Sequence, residues 1–167
     1  DPYETKTILW TQWIMKGIQN GQKCIMMVPR RTAGVAYAEK NGGLWLDIDL
    51  GTDLLVVNAI ARIIAENGWQ DAEWIKNWVN NKWGSSSGFG QGTRNTPWQW
   101  RTTWGKFQTK GYDDWKKWLL SQDEFKPENA AKVAGIDVKK IQQAAEWMAK
   151  PTGGKRPKTS IMIEKGF

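Results

Sequence analysis

Hydrophobic and polar positions divide the chain into stretches of different period. Apolar residues recur at helical spacing over 7–20, 53–67, 112–121 and 137–150, and each stretch predicts a helix with one buried side. Short apolar runs over 22–28 and 160–163 predict strands, and residues 44–50 alternate as a half-buried strand does. Shorter helices are predicted from Gln70 and from Pro127, and 33–40 predicts a helical turn or a loop.

The order of these elements predicts the fold class. Strands that alternate with helices favour an α/β fold with a doubly wound, mostly parallel, Rossmann-like sheet. Residues 1–79 would form the first half of this α/β domain, and residues 111–167 would return to it through helices and a final strand. Residues 80–110 are rich in Trp, Gly and Ser and predict an irregular insertion.

The two ends of the sequence predict a partial domain. The chain begins Asp-Pro-Tyr without Met, and it stops at Ile-Glu-Lys-Gly-Phe just after a strand-like run. We therefore expect a piece of a longer polypeptide, with an engineered or processed domain as the alternative. No apolar run reaches the roughly 18 residues that a membrane span needs.

Composition excludes several kinds of site. The net charge of +7, from 24 Lys and Arg against 17 Asp and Glu, suits a phosphate-bearing ligand, nucleic acid or plain solubility equally. His is absent and Cys24 is the single cysteine, which excludes a Cys/His zinc site, an iron–sulfur cluster and a Ser-His-Asp triad within this piece. Cys24 lies in an apolar run and is predicted to be a small buried hydrophobe.

Two loops, each following a predicted strand, carry candidate binding chemistry. The first is Pro29-Arg30-Arg31-Thr32, whose guanidinium groups can bind a phosphate or stack on a base. The second, Gly51-Thr52-Asp53, opens an apolar helix; Asp53 could accept two N–H donors from a guanine edge, and Gly51 would allow close approach. Taken alone, the first loop could be only a solvated turn. The second could be only the start of a helix, with Thr52 or Asp53 as its cap. Together they predict one ligand site, because ligands of open α/β sheets bind at the carboxyl ends of strands.

Two further segments have alternative interpretations. The opening Asp1-Pro2-Tyr3-Glu4-Thr5 precedes a helix, so it is either a capping loop or a loop beside a phosphate. Trp98, Trp100 and Trp104, near Arg94 and Arg101, could stack on single-stranded nucleic acid or on sugars, but they suit the packing of an insertion better. A basic, Trp-rich nucleic-acid-binding module therefore remains an alternative function.

Several motifs resemble the molybdopterin oxidoreductases of the dimethyl sulfoxide reductase family. That family has a Pro-Arg-x-Thr loop after a strand and then Pro-Gly-Thr-Asp before an apolar helix; here Leu50 replaces the second Pro, which should not affect binding. Asp71 with Trp74-Ile75, and Pro127-Glu128 followed by Gly135-Ile136, match its later helices. Within the family, stretches over nearly the whole chain resemble the catalytic subunits of arsenite oxidases: residues 1–5, 10–23, 29–39, 94–107 and 160–167.

The resemblance implies an enzyme with molybdenum held by bis-molybdopterin guanine dinucleotide, which oxidises arsenite to arsenate. By match of motif, one guanine dinucleotide would be lined by two groups of residues: Val28, Pro29, Arg30 and Arg31; and Gly51, Thr52 and Asp53. Asp1, Pro2, Glu4 and Thr5 would lie on its phosphate side, and Lys165 and Gly166 would lie near a pterin.

The resemblance also implies what lies outside this piece. The family's iron–sulfur cysteines lie upstream and its substrate-contacting residues lie elsewhere, so we expect no catalytic residue and no metal ligand here, and no activity from the piece alone. A periplasmic enzyme is implied, with a Rieske-type small subunit and a cytochrome c or cupredoxin as electron carrier. A nitrate reductase or formate dehydrogenase type of molybdopterin enzyme remains an alternative.

Overall fold

The computed structural model describes Tyr3 and residues 6–79 and 111–162. It divides the chain into two units, one formed by residues 1–69 with 123–167 and the other by residues 70–122. The first unit contains a sheet and most of the described helices. The predicted insertion at 80–110 lies outside the described residues, so the predicted boundaries 1–79, 80–110 and 111–167 remain a prediction.

The sheet of the first unit has two short parallel strands, β1 (Ile25–Met27) and β2 (Leu44–Leu46). Ile25 lies opposite Leu44 and Met27 opposite Leu46. Both strands are shorter than the predicted runs over 22–28 and 44–50. After β2 the chain turns to another partner, because the amide of Asp49 donates to the carbonyl of Ala134 at 3.0 Å.

Helices make up most of the described chain. A helix begins with α1 (Thr7–Leu9), passes through a π-helical stretch (Trp10–Ile14) and ends with α2 (Met15–Gln19). The others are α3 (Ala33–Lys40), α4 (Asp53–Glu66), α5 (Ala72–Trp78), α6 (Gly111–Ser121), α7 (Pro127–Ala134) and α8 (Val138–Ala149), with a 3₁₀ turn at Asp123–Phe125.

One side of the sheet, the first face, packs on α4, α7 and α8. Ile25, Met27 and Leu44 contact a buried cluster there that is rich in alanine. Small side chains let the three helices approach one another closely, and each large apolar side chain buried among them contributes about 1.5–3 kcal/mol. The buried members are Leu46, Ile48, Val56, Ala59, Ile60, Ile63, Ala130, Ala131, Ala134, Ile136, Ile141, Ala144 and Ala145.

The opposite side of the sheet, the second face, has a smaller core. Its buried members are Trp10, Met26, Val35 and Ala38, and Trp45 packs against them. Neighbouring residues of each strand therefore point to opposite faces, as the pleat of a strand requires. Helices cover both faces, which accounts for the nearly continuous apolar sequence of β1.

In the second unit, the described helices α5 and α6 have clear sequence signals. The side chain of Asp71 accepts a hydrogen bond from the amide of Trp74 at 2.9 Å and so caps the start of α5. Leu119 of α6 is fully buried. The apolar spacing over 112–121 correctly predicted α6.

The structure confirms a mixed α/β class but does not establish a doubly wound sheet, since the described residues form a sheet of two strands. The segment predicted as a helical turn or loop over 33–40 is a complete helix. The predicted final strand over 160–163 is not formed in its described part: Ser160, Ile161 and Met162 are exposed and lack strand pairing. Among the described helices, none is both long and apolar enough to cross a membrane.

Candidate functional site

The two predicted binding loops leave the sheet at the same edge. Residues 28–31 follow the carboxyl end of β1, and residues 47–52 follow the carboxyl end of β2 and lead into α4. Because β1 and β2 are adjacent and parallel, their carboxyl ends lie side by side. The sequence prediction that an arginine-bearing loop and the loop that leads to Asp53 share one edge of the sheet agrees with this topology.

The first loop is fixed to β2 where it begins. The amide of Val28 donates to the carbonyl of Leu46 at 3.3 Å, and the indole Nε1 of Trp45 donates to the carbonyl of Val28 at 2.8 Å. Beyond Val28, the side chains of Arg30 and Arg31 are exposed. Both main-chain polar groups of Val28 are therefore held by the neighbouring strand, and the loop starts from a defined position.

Contacts with α3 fix the far side of the same loop. Arg31 Nε donates to Glu39 Oε2 at 3.0 Å in a largely exposed ion pair. Thr32 is the N-cap of α3, because its hydroxyl oxygen accepts from the amide of Val35 at 3.2 Å. This capping role was missed in the sequence, although Thr before a helical stretch is a known N-terminal signal.

The second loop has an open approach to the start of α4. Gly51 has a φ of +83°, which favours glycine, and a Cβ built on it would meet no atom within 4 Å. The Thr52 hydroxyl donates to the carbonyl of Asp49 at 2.7 Å and does not cap the helix. The suggestion that Thr52 caps α4 through its side chain is therefore wrong. Asp53 is the first helical residue and is partly buried.

Six of the predicted site residues lie outside the described part of the chain: Asp1, Pro2, Glu4, Thr5, Lys165 and Gly166. The predicted stacking residues Trp98, Trp100 and Trp104 also lie outside it. The structure does describe Tyr3, which lies between Pro2 and Glu4 in the sequence. Its ring contacts that of Trp10 edge-on, with the ring centroids 5.7 Å apart.

Other polar features of the first unit do not involve the predicted site. An open cleft of about 540 Å³ includes Arg62, Glu66, Trp69, Glu146 and Lys150 in its lining, and none of its lining residues is a predicted binding residue. Two ion pairs lie within it, Arg62–Glu66 at 2.7 Å and Lys150–Glu146 at 3.1 Å. The cleft is therefore a separate feature from the predicted site at the sheet edge.

Neither the single cysteine nor a cluster of metal-binding side chains offers a second candidate site among the described residues. Burial raises the pKa of the Cys24 thiol, so the reactive thiolate is scarce at neutral pH. Cys24 is partly buried and packs against the cluster of the second face, so the prediction of a small buried hydrophobe there is confirmed only in part. Within 6–79 and 111–162, no cluster of three or more His, Cys, Asp or Glu side chains could hold a metal ion.

Comparison with known proteins identifies related chains. The sequence is 55% identical over 99% of its length to the iodate reductase subunit IdrA of Denitromonas iodatirespirans and 50% identical to IdrA of Pseudomonas sp. (strain SCT), also over 99%. It is 28% identical over 86% of its length to the arsenite oxidase subunit AioA of Herminiimonas arsenicoxydans. The chain is related to molybdopterin oxidoreductase subunits. No family model matches it.

These relatives show which part of the family resemblance is supported. The chain spans 18% of the length of each iodate reductase subunit and 14% of the length of the arsenite oxidase subunit, so it matches one segment of each relative. The molybdopterin oxidoreductase prediction is supported. The narrower prediction of arsenite oxidase is not specifically supported, because the iodate reductase subunits are far more similar to the chain.

Proposed function

We propose that this segment holds the guanine-nucleotide end of molybdopterin guanine dinucleotide at the carboxyl edge of β1 and β2. The observation that carries the proposal is the parallel pairing of the two strands, which brings their following loops to one edge. One loop supplies cationic side chains and the other supplies a carboxylate, which suits a ligand with both phosphates and a purine edge.

The described residues fit such a ligand. Exposed Arg30 and Arg31 can bind phosphate oxygens or stack on the base. Gly51 leaves open space in which a ligand can approach the backbone. The carboxylate of Asp53 offers two acceptor oxygens to the two N–H donors on a guanine edge, and its partial burial strengthens such hydrogen bonds.

The chain's own residues would bind and orient the cofactor. When bound, molybdenum and pterin supply the redox chemistry, as cofactors do in such enzymes. We propose that the whole protein carries bis-molybdopterin guanine dinucleotide, of which this segment contacts one nucleotide, and an iron–sulfur cluster outside the segment. No residue of the segment is assigned to catalysis.

The substitution Asp53→Asn in the whole protein tests the site. It removes one acceptor oxygen and the charge while keeping the shape, so guanine nucleotide and molybdenum per polypeptide should fall several-fold. Nucleotide is measured by chromatography after acid release and molybdenum by mass spectrometry. Asp137→Asn is the matched control, because Asp137 caps α8 through an oxygen that Asn also has. Asp53→Asn with wild-type nucleotide and molybdenum contents would contradict the proposed site.

We further propose that the whole protein reduces iodate. This rests on 55% and 50% identity to iodate reductase subunits, against 28% to an arsenite oxidase subunit. Arsenite oxidation is the second candidate and rests on the latter match and on the motifs already described. Purified whole protein should oxidise a reduced dye when iodate is added; turnover of arsenite with an oxidised dye, and none with iodate, would reverse the assignment.

Two further features of the whole protein are proposed from the family resemblance. One is a periplasmic location with a Rieske-type small subunit and a cytochrome c or cupredoxin carrier, tested by co-purification from periplasmic extract. The other is that β1 and β2 form part of a larger doubly wound sheet, tested by a structure of the whole protein. Recovery of the protein only from the cytoplasm, or a sheet confined to two strands, would contradict them.

A further inference from the structure

The ladder of hydrogen bonds between β1 and β2 ends where a side-chain donor takes the place of a main-chain amide. Along the ladder, the amide of Leu44 donates to the carbonyl of Cys24 at 2.9 Å, and the amide of Val28 donates to the carbonyl of Leu46 at 3.3 Å. In a parallel pair such bonds recur every two residues on each strand, so the carbonyl of Val28 is the next acceptor. That carbonyl instead accepts from the indole Nε1 of Trp45, at 2.8 Å.

This exchange occurs where the first loop begins. Pro29 is the next residue, and within the described residues no main-chain hydrogen bond joins β2 to the chain beyond Val28. The side chain of Trp45 thus provides the last bond between β2 and the chain that leaves β1. It fixes the peptide that follows Val28, and with it the point from which Arg30 extends.

The indole of Trp45 is itself held in place from two sides. Its ring packs against the buried cluster of the second face. The ammonium of Lys140, on α8, lies 5.8 Å from the ring centroid, and the same ammonium binds Asp47 Oδ1 at 2.6 Å. A cation at this distance from a Trp ring is attracted to it. The donor is therefore oriented by a neighbouring helix as well as by its own strand.

We infer that Trp45 is a positioning residue for the nucleotide site: its indole N–H sets the path of residues 28–31 and so the placement of Arg30 toward a guanine nucleotide. This inference rests on the proposed function. It assigns to Trp45 a role that differs from filling the second face, because packing needs the ring whereas positioning needs the N–H.

The test distinguishes the contribution of the Trp45 ring from that of its N–H. Trp45→Phe keeps an aromatic ring for packing and for Lys140 but removes the donor. Trp69→Phe is the matched control, because Trp69 also lies beneath a lysine, with Lys150 Nζ 5.7 Å from its ring, away from the two loops. Whole protein prepared without its molybdenum cofactor is titrated with guanosine diphosphate in a calorimeter, and hydrogen exchange is followed in β1 and β2.

We expect Trp45→Phe to weaken guanosine diphosphate binding about five-fold, the effect of one neutral hydrogen bond. Trp69→Phe should bind as the wild type does, and exchange in β1 and β2 should stay close to wild type in both variants. Unchanged binding by Trp45→Phe, or loss of protection throughout both strands, would overturn the inference.

Asp53→Asn, titrated in parallel, distinguishes the two proposals. If Asp53→Asn binds weakly and Trp45→Phe binds normally, the nucleotide site stands and the role of Trp45 is wrong. If the wild type binds no guanosine diphosphate, or Asp53→Asn binds as tightly as the wild type, the nucleotide site itself is contradicted.

Discussion

The two faces of the sheet differ in how completely this segment covers them. The first face packs on three helices through thirteen buried residues, most of them alanine or isoleucine. The buried cluster of the second face has four members. Fully buried Trp10 carries an indole N–H that has no hydrogen-bond partner among the residues that the structure describes.

This difference shows which interactions belong to the segment itself. Small alanine side chains let the three helices of the first face approach one another closely, and we call this cluster of thirteen buried residues the finished core. The second face depends on one large side chain whose polar atom is buried without compensation, which costs about 1–3 kcal/mol. Substitutions in the core of the first face should therefore change stability mainly through lost packing. Substitution of Trp10 on the second face should change stability mainly through its unpaired indole N–H.

The largest effect is expected from Ile141→Ala on the first face. Ile141 is fully buried in α8, and truncation would leave a cavity that the surrounding alanines cannot fill. The opening free energy of α8 should fall by about 2–5 kcal/mol. Hydrogen exchange of α8 peptides in the whole protein measures this change, and a loss below about 1 kcal/mol would contradict the description of a finished core.

A smaller effect is expected from Thr32→Ala, at the start of α3 beside the second face. The substitution removes the acceptor for the amide of Val35 and should reduce the opening free energy of α3 by about 1 kcal/mol. Thr32→Ser keeps the hydroxyl and serves as the control. Equal exchange rates in α3 for the alanine and serine variants would show that the cap contributes nothing.

The smallest effect is expected from Trp10→Phe, although Trp10 is the largest fully buried side chain. The phenyl ring loses some buried area, but the substitution also removes the unpaired donor, and the two terms should nearly cancel, to within about 1 kcal/mol. Exchange in β1 and α3 reports the result. A loss of several kcal/mol would mean that the indole N–H is paired in the whole protein and that the second face is completed there.

The sequence predicted helices better than strands, for a physical reason. The helix over 53–67 was predicted almost to its ends (Asp53–Glu66), because helical hydrogen bonds are local and the apolar period marks the buried side. Residues 33–40 were predicted as only a helical turn or a loop, although they form a complete helix. Their short sequence with Ala and Gly has a weak apolar period, and Thr32 was not recognised as the cap. The strand expected over 44–50 stops at Leu46, because Asp49 pairs with Ala134, which is distant in the sequence.

For the candidate site, the order of residues alone supplied the chemistry: two arginines follow one apolar run, and a glycine and an aspartate precede an apolar helix. It also excluded a Cys/His zinc site and an iron–sulfur cluster within the segment, because His is absent and Cys24 is the single cysteine. The parallel pairing of β1 with β2, and the hydrogen bond from Trp45 to the carbonyl of Val28, became visible only in the folded chain, since these bonds join residues about 17–19 positions apart. Strand pairing and side-chain hydrogen bonds depend on which segments meet in space, which no local pattern of apolar and polar residues contains.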